Sequence, residues 1–150
     1  MHGSLLPLEP AGLELTAEEK AYAGLAHALM MSTWWIGPLV IFLTKRGSRF
    51  VRFHALQALL WQGIFTMLYV AGFSLFFVVL LASMPPGSQK PPDTQFPTAL
   101  FVAMPLLWLI SMVGFAVTMT LGILYCLKAL RGEWAGYPVI GRWAARITGP

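Results

Sequence analysis

The stretch 51–84, VRFHALQALLWQGIFTMLYVAGFSLFFVVLLASM, carries no charged residue after Arg52. As an α-helix its roughly 30 apolar residues reach about 45 Å, more than the roughly 30 Å hydrocarbon core of a bilayer. It cannot hold two crossings and a turn, so it reads as one tilted span that projects past the core. Working outward, residues 98–127 read the same way. Pro97 suits a first helical turn, and no charge follows before Lys128. Toward the N-terminus, no fixed charge lies between Lys20 and Lys45. A further crossing is expected there, giving spans of about 20–44, 53–83 and 98–127.

Local signals refine these limits. Thr16-Ala17-Glu18-Glu19 spells a capping box, so a helix should begin at Ala17. Pro38 predicts a bend within the first span, with the carbonyl freed near Trp34 met by a neighbour or water. Gly47 suits the position after a helix C-terminus, and Ser48 can cap the next helix. Residues 1–15, with Gly3, Pro7, Pro10 and Gly12, read as a flexible arm. Residues 16–128 form the membrane domain, and Pro85-Pro86-Gly87 opens a polar loop over 85–96. In the tail, 129–150, Pro138 can begin a short helix with Ile140, Trp143, Ala144 and Ile147 on one face. Arg142 and Arg146 are interleaved with them, a pattern suited to the headgroup layer. The expected fold is all-α and integral to the membrane: three transmembrane helices plus a short C-terminal amphipathic interfacial helix.

Totals agree with this reading. The 150 residues are 57% hydrophobic and 11% charged, against roughly 25% charged in an average soluble domain. That excludes a soluble enzyme, a nucleic-acid module, a disordered chain and a secreted disulfide scaffold. Cys126 is the only cysteine, so no internal disulfide can form. The formal charge of +4 comes from clusters that flank the spans: Lys45, Arg46, Arg49 and Arg52 in the first loop, and Lys128, Arg131, Arg142 and Arg146 in the tail. The expected partners are the lipid bilayer and anionic headgroups at the basic loop and tail, not nucleic acid. With three spans the positive-inside rule places loop and tail in the cytoplasm and the N-terminus outside a bacterial inner membrane. The acidic N-terminus, with Glu9, Glu14, Glu18 and Glu19, lacks the basic region of a cleaved signal peptide.

A few residues break the apolar pattern. Gly24, Ala28 and Ser32 recur every four residues, as do Gly114, Thr118 and Gly122. Such stripes let helices approach closely, within one chain or across an oligomer seam. His27 lies beside the first stripe. His54, Gln57 and Trp61 share one face of the second helix, with Gln62 deeper. These groups are costly against lipid and should face other helices or water. They could line a polar cavity, form a proton-sensitive pair, or bond neighbouring backbone. His27 is expected nearer the outside and His54 nearer the cytoplasm, which argues against a shared haem iron. No span contains Asp or Glu, and no paired carboxylate, HExxH or Gly-x-Ser-x-Gly occurs. No catalytic residue, metal or cofactor is therefore expected.

Four segments recur as a set: Thr16–Lys20 with Leu25-Ala26-His27; Gly37-Pro38-Leu39; Phe50-Val51-Arg52-Phe53-His54-Ala55-Leu56-Gln57-Ala58; and Arg131-Gly132-Glu133-Trp134 with Tyr137-Pro138. Over residues 16–146 the chain resembles a family of small bacterial multi-pass proteins related to the Tic-twenty component of the chloroplast inner-envelope import machinery. The resemblance implies an α-helical membrane protein and, for the plastid relatives, a protein-conducting role. It singles out Phe50, Arg52, Phe53, His54 and Gln57 without assigning them chemistry. The plastid pattern has four spans, one more than expected here. The functional expectation is a non-enzymatic structural or interaction subunit that packs as an oligomer or in a larger membrane complex. The alternatives are a translocation component and a cofactor-binding subunit of a respiratory or photosynthetic complex.

Overall fold

The computed structural model describes residues 14–82 and 98–148. They form α1 (Ala17–Ser32), α2 (Ile36–Thr44), α3 (Arg49–Ala82), α4 (Thr98–Leu130) and α5 (Ile140–Thr148). No strand occurs among the described residues. Most of the expected arm, the loop 85–96 and Pro97 lie outside them.

Two helices are long and apolar enough to cross a membrane, α3 and, over Phe101–Leu130, α4. No residue from 63 to 82 is buried. Side chains such as Met67 (74% exposed) and Leu68 (68%) are largely uncovered by the described residues. Unbroken apolar surface on this scale is stable only against lipid or another apolar surface.

The expected first span is corrected. Residues 17–44 form two helices, of 16 and 9 residues, separated by Thr33–Trp35, and at 1.5 Å per residue neither reaches across the hydrocarbon. The break falls at Thr33–Trp35, where Trp34 takes φ +60°, and not at Pro38. Pro38 occupies the first turn of α2, where its missing N–H would have no helical partner anyway. Thr33 closes the break: its hydroxyl donates to Leu29 O at 2.8 Å and accepts from Gly37 N–H at 3.1 Å. A Cβ on Gly37 would collide with Thr33 and Leu29, so glycine permits the close return.

The chain therefore doubles back. Glu18, at the start of α1, meets Lys45, just past α2, at 2.8 Å, and the Lys45 ammonium lies 3.8 Å over the Tyr22 ring. The Glu18 hydrogen bond raises the Lys45 pKa. An exposed pair contributes little. The hairpin is held instead by Ala26, Ile41, Val51 and Ala55, with Tyr22, Leu29 and Phe42 against them. Two ends expected on opposite sides of the membrane thus lie together. Gly132 of the tail also sits here, where a Cβ would be 2.9 Å from Lys20 Cε. In a Cys126→Ser background, Leu15→Cys and Arg146→Cys should both react with an impermeant thiol reagent from the same side. Reaction from opposite sides would restore the third crossing.

The chain divides into two compact units, residues 1–64 with 118–150, and residues 65–117. In the second, Gly114 lets the Phe65 ring approach to 2.7 Å of its would-be Cβ, and Tyr69 packs on Phe65 and Phe73. In the first, the capping box forms as expected. Hydrogen bonds from Ser48 and Thr16 hold the Glu19 carboxyl below the usual carboxylate range. Its contribution is present at neutral pH and lost as pH falls through that lowered pKa. Ser48 caps α3, accepting from Val51 N–H at 3.3 Å. The left-handed glycine falls at Gly132 (φ +82°), not at Gly47. Gly132 N–H reaches Ala129 O at 2.9 Å and Glu133 N–H reaches Lys128 O at 3.0 Å, the paired bonds of a Schellman close.

The amphipathic helix α5 begins at Ile140, two residues later than Pro138. Its expected single apolar face divides: Ile140 and Ala144 are buried, while Trp143 and Ile147 are exposed. Its entry depends on Gly141, whose Cβ would lie 2.6 Å from Gly136 Cα and 2.9 Å from its carbonyl carbon. Backbone cannot yield as a side chain would. Gly141→Ala is expected to cost about 1–3 kcal/mol, measurable as a lower unfolding midpoint in detergent.

Candidate functional site: a buried polar chain

Within the first unit α1 runs parallel to α3 and antiparallel to the end of α4. Ala23 packs with Phe50 and Ala129, and Gln62 Nε2 donates to Met30 O at 2.8 Å. A Cβ on Gly24 would meet Leu130 at 2.8 Å, and one on Gly122 would meet Met31 at 2.8 Å. The glycines of both stripes thus serve packing within the chain. Ala28 is half-buried and Ser32 exposed. Thr118 is buried and accepts from Trp61 Nε1 at 3.1 Å.

This packing brings His27 and His54 together, and the expectation of different depths is corrected. Both are fully buried, with His27 Nε2 and His54 Nδ1 3.0 Å apart. Two chain-distant groups complete the line. Tyr137 Oη lies 2.9 Å from His27 Nδ1, and His54 Nε2 lies 3.1 Å from the Glu133 carbonyl. A carbonyl only accepts, so His54 Nε2 carries the proton and His54 Nδ1 accepts. His27 Nε2 must then donate, leaving His27 Nδ1 to accept from the Tyr137 hydroxyl. Burial pushes the Tyr137 phenol well above its ordinary pKa, which keeps it a donor. The result is one directed chain, Tyr137 to His27 to His54 to Glu133 O, in neutral groups with every ring nitrogen satisfied. Imidazoles in direct hydrogen bond leave no gap for an iron between them.

Gln57 fixes the same tail segment. Its Oε1 accepts from Tyr137 N–H at 2.7 Å, and its Nε2 donates to Ala135 O at 3.4 Å. Tyr125 donates to Gly136 O at 3.0 Å and packs edge-on to Tyr137 with centroids 4.2 Å apart. Phe50 and Phe53 enclose the His54 ring and both contact Trp134. The Arg52 guanidinium lies 5.2 Å over the Phe42 ring. Glu133 takes part through its carbonyl, while its carboxylate stands 4.0 Å from Arg131. Pro138 is exposed just before α5. Sequence periodicity could not reveal Tyr125 and Tyr137 as partners, because His27 and Tyr137 lie 110 positions apart.

The geometry thus defines an α-helical membrane protein whose tail is fastened by a buried, neutral polar chain to the helices that carry it. The chain belongs to the MamF/MmsF family, the magnetosome magnetite crystal formation protein family, whose model matches residues 18–144. No curated protein and no solved structure matches it. The matched span includes His27, His54, Gln57, Tyr125 and Tyr137. It agrees with the bacterial membrane-protein family inferred from the motifs.

Proposed function

We propose that this protein is a non-enzymatic structural component of the magnetosome membrane that acts in magnetite crystal formation. The observation that carries this reading is the family match, which spans both apolar helices and the whole polar chain. The buried polar groups bond one another, so they lend little to a conduit and more to a rigid scaffold. The apolar surface of α3 and α4 would meet lipid, further copies or other membrane proteins. The basic loop and tail would face the cytoplasm by the positive-inside rule, and the early part of α1 with them.

Deletion of the gene in a magnetite-forming bacterium tests this. Crystals counted and measured by electron microscopy should change in number or dimensions, and the full-length gene should restore them. A fluorescent fusion should co-purify with magnetically isolated membranes. Unchanged crystals together with a fusion absent from those membranes would overturn the reading.

A further inference from the structure

The first unit holds nine of the ten Lys and Arg residues, all but Lys90. Three of its carboxylates are engaged: Glu18 with Lys45, Glu19 with Thr16 and Ser48, Glu133 near Arg131. Among the described residues no carboxylate lies within 4.0 Å of Arg52, Arg142 or Arg146. Arg52 is held over Phe42, and its Nε is buried without a hydrogen-bond partner among the described residues. A cation fixed in place without a counter-charge is half of a binding site.

The path of α5 supplies the rest. Ile140 packs beside Leu60 and Trp61, and Ala144 beside Phe53 and Leu56. The helix therefore descends α3 toward its N-terminus, carrying Arg146 toward the level of Arg52. Around α5, Ile140 and Ala144 face inward. Trp143 and Ile147, four residues apart, are 50% and 59% exposed. Arg142 and Arg146, also four apart, share a second exposed face. An uncovered apolar stripe beside an uncovered cationic one matches a ligand with an anionic head and a hydrocarbon body.

We propose that Arg52, Arg142 and Arg146 seat the phosphate of an anionic phospholipid, with Trp143 and Ile147 against its acyl chains. Arginine forks fit phosphate oxygens in paired, charge-assisted hydrogen bonds. Free phosphate would satisfy the charges but leave the apolar stripe uncovered. The assignment rests on the membrane reading of α3 and α4, which places such headgroups within reach.

The test uses the full chain purified from membranes in mild detergent. Phosphatidylglycerol should raise its unfolding midpoint by about 5 °C or more, and phosphatidylcholine or inorganic phosphate by less than about 1 °C. Arg142→Gln with Arg146→Gln, and separately Arg52→Gln, should each weaken phosphatidylglycerol retention in native mass spectra by about tenfold. Arg46→Gln, outside the seat, should retain it. Equal effects of the two lipids, an equal effect of inorganic phosphate, or full retention by the variants would each overturn the proposal. Failure to recover the protein in membranes at all would instead overturn the membrane reading, which separates the two.

Discussion

Gln57→Leu should destabilise the folded protein by about 3 kcal/mol and release the segment after α4. Leucine preserves bulk, so the loss is polar. The Tyr137 N–H loses a 2.7 Å acceptor and the Ala135 carbonyl loses its donor. The Tyr137 N–H bond is buried, the Ala135 bond partly so. An unsatisfied buried group costs about 1–3 kcal/mol, and two arise at once. Denaturant unfolding in detergent measures the total. Limited proteolysis shows where it acts, because cleavage should appear within residues 131–139 before it appears in the helices. Unchanged stability would mean that the tail is fastened by α5 packing alone.

His27→Phe should cost about 2–5 kcal/mol. The Tyr137 hydroxyl loses its acceptor and His54 Nδ1 loses its donor, both in a site without water access. Tyr137→Phe removes only the first of these bonds and should cost about 1–3 kcal/mol. Because the groups form one directed chain, the double variant should fall short of the sum by at least about 1 kcal/mol. The assigned directions are checked separately by nitrogen NMR: Nδ1 of both histidines should be unprotonated and Nε2 protonated. Additive costs, or the opposite tautomers, would break the chain as drawn.

What was legible beforehand follows from how local each signal is. The Thr16–Glu19 capping box involves neighbours three apart, and it forms as read. The Ser48 cap is equally local. The length and apolarity that let α3 and α4 cross a membrane follow from unbroken apolar runs, which need no knowledge of what packs beside them. For Gln57 three alternatives were open, and the structure has its amide bonding the backbone of Ala135 and Tyr137.

The errors share a cause as well. A charge-free interval gives length and polarity but no direction, so residues 20–44 read as a crossing when the chain turns back at Thr33–Trp35. Pro38 marked the region of the bend, yet Thr33 and Gly37 decided its position through side-chain bonds and close approach. Reading His27 and His54 at different depths depended on that false crossing. Once α1 runs parallel to α3, the two imidazoles meet.

The sequence by itself determined that this is an all-helical membrane protein with a cationic end, because hydropathy and charge act on each residue through the solvent around it. Only the tertiary structure decided which polar residues share a site. The partners of His27 and Gln57 lie beyond α4, and contacts between segments separated by most of the chain leave no local period to read.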